Sequence, residues 1–336
     1  LFSQVFYLNQ TSLFMKRSLA LLAGSLLLIM SCNKSGSKTE DTPADDVLAT
    51  QRHCASNDVL TEQLKADPAL GQRLQEIEDF TQRVVAHPEQ FRLVNGIVEI
   101  PVVFNVLYRT TAENVSLTQL QSQIDVLNED YGATNADHNL TSTYNTVKAG
   151  DVGVRFVLDA VNRRSTTKTS WSTNDAMKKS AQGIAPTSPT TKLNIWVCNL
   201  GGGILGYAQF PGGAAATDGV VLDNNATGRV GTAAAPFNKG RTATHEVGHW
   251  LNLRHIWGDA TCGNDQVGDT PLHNTANYGC PAAGHTSTCT GTPVEMTMNY
   301  MDYTDDACMY MFSVGQRSRM LAVFATGGAR NSFAQP

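Results

Sequence analysis

The sequence has no lysine- or arginine-rich stripe; its 25 basic residues are outnumbered by 30 acidic ones, for a net charge of −5 at pH 7. A nucleic-acid partner therefore has no electrostatic support. No internal repeat is present. The apolar run Leu19 to Met30 is too short for a stable transmembrane helix. What the chain does have is length and apolar content: 336 residues, 41% of them hydrophobic, enough for a real core in one domain with a smaller module beside it.

Met15-Lys16-Arg17 precedes that apolar run, which ends in Ser31 and Cys32, the pattern of a bacterial export signal. Residues 1–14 read as upstream translation. Ile29-Met30-Ser31-Cys32 resembles a lipobox, in which Cys32 becomes the lipidated first residue of the mature protein and an acyl chain anchors it to a membrane. Plain secretion with cleavage near Cys32 is the alternative. The polar tract from Asn33 to Asp46 reads as a disordered tether in both cases. Export also matters for the seven cysteines, because an oxidising compartment permits disulfides. Without Cys32, four of the remaining six, Cys262, Cys280, Cys289 and Cys308, fall in a Gly-, Thr-, Asp- and Pro-rich segment that needs covalent staples; three pairings are open to them.

Between Asp58 and Val85, Leu60, Leu64, Leu70, Leu74, Ile77, Phe80 and Val84 recur at helical spacing, interrupted at Pro68, which predicts a two-helix module. The run Gly96 to Tyr108 is rich in β-branched residues and reads as a buried strand, so a boundary falls near 84–95. Ser116 and Gln119 form a capping box ahead of a helix whose apolar face is Leu117, Leu120, Ile124, Leu127 and Tyr131. Further strands are expected at 153–160, 192–200 and 219–223, with a weak helix near 174–182. A last helix at 314–326 should bury Met320, Leu321 and Phe324. Strands alternating with helices indicate an α/β (α+β) class. Gly201-Gly202-Gly203 and Gly212-Gly213 flank 204–211, which reads either as an edge strand bordering a cleft, open to an extended peptide, or as a surface loop.

The chemistry concentrates in His245-Glu-Val-Gly-His249-Trp-Leu-Asn-Leu-Arg-His255. On a helix, His245 and His249 project from one face and can reach one Zn²⁺. Glu246 beside them is placed to take a proton from a metal-activated water and pass it to a leaving amine. His255 lies too far on to share a straight helix, so the chain must turn near Asn252, and asparagine tolerates positive φ better than any residue but glycine. Three protein ligands leave the fourth position open, as hydrolysis requires. A metallopeptidase is the expected activity.

This run, followed by Asn299-Tyr300-Met301-Asp302-Tyr303, resembles the metzincin clan of zinc peptidases and, within it, the pappalysin family, especially its cytophagalysin and ulilysin-like members. The resemblance extends over roughly residues 50–330. It implies a metzincin-like catalytic domain with a twisted, mostly parallel sheet, two long helices and a disulfide-stapled irregular lower subdomain, preceded by a small helical pro-segment. It divides the chain into upstream residues and signal at 1–32, a tether at 33–50, the pro-segment at 51–90 and the catalytic domain at 91–336. It makes Met301 the Met-turn methionine beneath the zinc ligands, and Tyr303 a tyrosine whose hydroxyl stabilises the oxyanion. It pairs Cys262 with Cys289 and Cys280 with Cys308, and places Ca²⁺ on Asp265, Asp269 and Thr270. Asn252 departs from the clan's usual glycine.

Cys54 resembles the family's pro-segment cysteine, whose thiolate would occupy the open zinc position until cleavage between about Gln82 and Asn95, beside Arg83 or Arg92, releases it. A Cys54–Cys198 disulfide is the alternative. Asp305 and Asp306 are candidates to line a pocket for an Arg or Lys following the scissile bond. The expected protein is a secreted or lipid-anchored zinc endopeptidase, made latent, acting as a monomer on protein or peptide substrates. Its rivals are an adhesion lipoprotein with a structural zinc and an enzyme that cuts amides or only its own pro-segment.

Overall fold

A computed structural model describes residues 48–90, 96–140 and 142–334. Cys32 and Arg92, and with them the lipobox and part of the cleavage region, lie outside the described residues. Two helices come first, α1 (Ser56–Ala66) and α2 (Ala69–Ala86). They are separated where Pro68, which cannot continue α1, starts α2. Of their apolar positions Leu70 and Val84 are buried, while Leu60, Leu64, Leu74, Ile77 and Phe80 are half-buried. Val59 of α1 packs with Leu107 and Trp196, and Val84 of α2 with Ala322 and Ala325.

The catalytic-domain sheet begins with β1 (Val98–Tyr108), whose β-branched run is buried on both faces over Val102–Leu107. After α3 (Leu117–Tyr131) come β2 (Val154–Ser165), the single turn α4 (Ala176–Lys179), β3 (Leu193–Cys198), β4 (Gly206–Ala208) and β5 (Val220–Asp223). The strand order is β2-β1-β3-β5-β4; the first four run parallel and β4 lies antiparallel to β5 at the edge. Within 204–211, Gly206–Ala208 is an edge strand and the flanking residues are loop. The helix expected at 174–182 shrinks to one turn.

Across one face of the sheet lie α3 and α5 (Arg241–Trp250). Asp130 fastens them, accepting from Thr244 Oγ1 at 2.7 Å and from the Tyr300 hydroxyl at 2.8 Å; burial raises its pKa to about 6. Two details of α3 depart from expectation. Leu117, at the first turn, is exposed, and the capping box is half made: Ser116 Oγ accepts from Gln119 N, but the Gln119 amide donates instead to Thr227 O and Thr232 Oγ1, each at 3.0 Å. Tertiary partners for a buried amide outweigh a local cap. A complete capping box stands at α6 (Val314–Ala322), between Ser313 and Gln316. That helix stops short of residue 326, and Leu321 is half-buried while Met320 and Phe324 are buried.

Residues 251–312 form no regular helix or multi-residue strand. Here Cys262 is bonded to Cys289 and Cys280 to Cys308, as the family resemblance implies, closing separations of 27 and 28 residues. In the chain-entropy picture a loop of that length contributes about 3–4 kcal/mol. Cys54 and Cys198 are both free and buried, so the alternative disulfide between them does not form. Replacing Cys262 and Cys289 together by serine is expected to lower the unfolding free energy by roughly 3 kcal/mol, read from the denaturant midpoint at unchanged slope.

Candidate active site

Helix α5 carries His245, Glu246 and His249, all fully buried, and ends where Asn252 adopts φ 73°. That left-handed residue turns the chain as its sequence position predicts, and His255 returns to the other two. The three Nε2 atoms converge, with 3.2 Å between His245 and His249 and 3.0 Å between His249 and His255. Each Nδ1 faces an oxygen: Tyr300 O at 2.7 Å, Leu253 O at 2.8 Å and Asp259 Oδ1 at 2.5 Å. Carbonyl and carboxylate oxygens only accept, so the protons sit on Nδ1 and three Nε2 lone pairs point at one spot. Burial first, then the neighbouring imidazoles, drive His245 well below the usual histidine range and His249 to about 3, leaving both neutral. Three converging lone pairs without a proton among them fit a cation, and an all-nitrogen triad fits zinc.

Cys54 Sγ completes the group, and the four donor atoms all lie within 4.8 Å of one another. Its thiol also donates to Glu246 Oε2 at 3.3 Å, and Ser56 Oγ donates to the same oxygen at 2.9 Å. Burial raises Glu246 to about 7. The segment bearing Cys54 adds itself to edge strand β4 in parallel: Leu205 N donates to His53 O at 2.9 Å, Ala55 N to Gly206 O at 3.0 Å, and Ala208 N to Ser56 Oγ at 2.8 Å. The Tyr303 hydroxyl donates to Cys54 O at 2.9 Å and accepts from Cys54 N at 3.3 Å. Both Tyr303 and Glu246 are thus held by the segment that covers the histidines.

Met301 is fully buried under α5, its amide donating to Asn299 Oδ1 and its carbonyl accepting from Ile256 N. The approach is close enough that a Cβ on Gly248 would stand 2.5 Å from Met301 Sδ. Of the two acidic candidates after this turn, Asp305 is half-buried and Asp306 fully buried. Asp306 Oδ1 accepts from Arg52 at 2.6 Å and its Oδ2 from Lys239 N at 2.7 Å; the Arg52 guanidinium also reaches Thr304 O and Thr242 Oγ1, each at 3.2 Å.

Of the three calcium candidates, Asp265 and Thr270 meet and Asp269 is engaged elsewhere. Asp265 accepts from Thr270 Oγ1 and, at 3.1 Å, from Val267 N, whereas Asp269 is committed to the start of α6 through Ser313 Oγ at 2.6 Å and Gly315 N at 2.8 Å. Helix α6 needs a carboxylate at its N-terminus, and Asp269 supplies it. Among the described residues the histidine–cysteine group is the one gathering of three or more metal-binding side chains found. Residues not anticipated from sequence are Asp259, Ser56 and Arg52. Asp259 alone left a local signal, a carboxylate four positions after a ligand histidine.

A histidine triad on and after a short helix, beneath an edge strand and above a buried methionine turn, defines a metallopeptidase of metzincin type. The profile of the peptidase M43 family, described as pregnancy-associated plasma protein-A, matches residues 188–325. An extracellular metalloprotease of Verticillium alfalfae is 36% identical, the alignment covering 66% of this chain and 76% of that protein; extracellular metalloprotease 1 of Coccidioides posadasii is 34% identical over 74% and 86%. Among solved structures, mature mirolysin of Tannerella forsythia in complex with a cleaved peptide is 44% identical with a TM-score of 0.68, covering 70% of this chain and 95% of its own. A promirolysin mutant of the same organism is 40% identical with a TM-score of 0.75, covering 84% and 97%. The chain belongs to the pappalysin family and is a metallopeptidase, with zinc the implied metal and peptides the substrate class. Membership favours the enzyme over an adhesion protein with a structural zinc.

Three substitutions at two positions probe this frame. Asn252→Gly should leave stability and zinc content near wild type, whereas Asn252→Val, forced to positive φ, should cost roughly 1–3 kcal/mol and lower zinc occupancy on dialysis. Gly248→Ala should cost about 1–3 kcal/mol by pushing Met301 away, read as a fall in melting temperature.

Proposed function

We propose that this protein is an exported zinc endopeptidase, synthesised latent and released by removal of residues 51–90. The observation that carries the reading is the Cys54 thiol at the meeting point of three Nδ1-protonated histidines, with Glu246 beside it. When bound by His245, His249 and His255, zinc supplies a Lewis acid that polarises the scissile carbonyl and acidifies water. Glu246, freed from Cys54 and Ser56, takes a proton from the attacking water and delivers it to the leaving nitrogen. Tyr303, freed from the Cys54 backbone, donates its hydroxyl to the developing oxyanion of the substrate. Met301 acts structurally, as a floor for α5.

Latency has independent support. The pro-form of mirolysin covers more of this chain than the mature form, by about the size of segment 51–90. Export is supported by relatives called extracellular and by the signal pattern around Met15 to Cys32; lipidation of Cys32 rests on the lipobox alone. Calcium in the loop 265–270 rests on the family resemblance and on the part-buried Asp265–Thr270 pair, with Asp269 engaged elsewhere. The Asp306 pocket is read as the site for the side chain following the scissile bond, and Arg52 as its occupant in the latent form: a buried carboxylate that holds a guanidinium there selects Arg or Lys in a substrate.

The decisive assay is casein or gelatin hydrolysis by the chain beginning near Val94, beside Glu246→Ala, with zinc quantified in both. Wild type should cleave, and the variant should keep zinc while losing at least about a thousandfold in rate. If both hold zinc and neither cuts any unfolded protein, the endopeptidase reading fails. In the full-length chain, Cys54→Ala should raise activity on a short peptide about tenfold or more without processing; unchanged latency would remove Cys54 from its role. A peptide library should enrich Arg and Lys directly after the cut, and Asp306→Asn should erase that enrichment; apolar residues alone at that position would refute the pocket.

A further inference from the structure

Two ion pairs, one fully and one partly buried, join residues 52–78 to the rest of the chain. One is Arg52 with Asp306. The other, Glu78 of α2 with Arg319 of α6, has no part in the mechanism above. Arg319 is 2% exposed. Its Nη1 donates to Glu78 Oε1 at 2.9 Å and its Nη2 to Glu78 Oε2, a fork-on-fork arrangement, while Nε donates to Asn252 O at 2.9 Å. That last bond ties the guanidinium to the turn between His249 and His255. It belongs to the catalytic domain and does not depend on the pro-segment.

The direction of the pro-segment locates this cation along the cleft. Residues 53–56 follow β4 from Leu205 to Ala208, after which Gln63 reaches Gln209 and Arg73 Nε reaches Gly212 O at 3.0 Å. Helix α2 then spans from Gly212, where Ile77 packs, to Asn252, whose amide donates to Thr81 Oγ1 at 3.3 Å. Arg319 therefore stands on the opposite side of the histidine triad from Asp306. On the reading that Asp306 takes the residue after the scissile bond, Arg319 faces the part of the substrate that precedes it.

We propose that Arg319 is a specificity-determining residue of the processed enzyme, taking an Asp or Glu side chain N-terminal to the scissile bond. Removing α2 uncovers a cation whose two terminal nitrogens lose a bidentate carboxylate while its Nε stays fixed. A guanidinium held in place by its Nε bond is a preorganised receptor for another carboxylate. The platform is stiff: α6 begins with the Ser313–Gln316 capping box and is pinned there by Asp269. The neighbouring Asp265 directs its carboxylate to Thr270 and Val267 N rather than to Arg319. The open cleft is thus dipolar, positive before the cut and negative after it, and suits peptides with an acidic residue upstream of an arginine or lysine.

The inference rests on the Asp306 reading, and the test scores the two ends separately. Enzyme processed from the full chain is profiled on a peptide library as wild type, Arg319→Gln, Arg319→Glu and Asp306→Asn, followed by matched peptides with Glu or Gln at the upstream position found. Wild type should prefer Glu by roughly tenfold in kcat/KM, carried mainly by KM and weakened by salt. Arg319→Gln should bring the Glu-to-Gln ratio in kcat/KM to about one, whatever its absolute rate, and Arg319→Glu should reverse the preference toward Lys. Asp306→Asn should leave it intact. No upstream carboxylate enrichment in wild type, enrichment that survives Arg319→Gln, or an Arg319-dependent carboxylate on the downstream side would each overturn the proposal. Absent Arg or Lys after the cut, with the upstream signal intact, would overturn only the Asp306 reading. Should Arg319→Gln fail to hold zinc, Arg319→Lys carries the test: a preference reduced severalfold supports it, and an unchanged one overturns it.

Discussion

Three imidazoles can serve one cation only if each keeps its proton on the far nitrogen. The constraint is met by three oxygens from different places: Tyr300 O in the Met-turn, Leu253 O just past α5, and Asp259 beyond the third histidine. Much of the architecture is an apparatus for presenting them. Asn252 turns the chain so that Leu253 O faces back on His249, and Asp130 binds α3, α5 and Tyr300 into one unit. The missing Cβ at Gly248 lets Met301 press close against the helix. Displacing any of these tilts an imidazole and disperses the lone pairs, which are useful only when convergent.

The segment ahead of β1 meets the cleft at several points rather than at one atom. Its extended stretch supplies a cation to Asp306, a thiol to the histidines and a hydroxyl to Glu246, and α2 supplies a carboxylate to Arg319. The polar groups it covers are buried by the contact, and each finds a partner in the segment, so the burial carries no unpaired group. Its helices bury few side chains fully, which keeps it separable from the core.

The sequence is most readable where the chemistry is local. Two histidines four apart, a glutamate between them and an asparagine where the helix must end are all short-range signals, and each is found in its expected place. The β-branched run of β1 and the break at Pro68 are equally local. What stayed hidden is pairwise and distant. Arg52 meets Asp306 across 254 residues and Glu78 meets Arg319 across 241, and nothing in either neighbourhood names the partner. Gln119 misled because its local cap competes with three acceptors more than a hundred residues away. Asp265 and Asp269 share a loop in sequence yet face different partners, since α6 claims one of them.

The edge strand that receives the pro-segment has one more consequence. A strand open to peptides is also open to other strands. β4 is three residues long, with glycine runs on either side at Gly201–Gly203 and Gly212–Gly213. So short an edge grips a peptide that side-chain pockets also hold, yet offers too few backbone bonds to template an intermolecular sheet. Brevity here is a safeguard against self-association, built into the same backbone that opens the cleft.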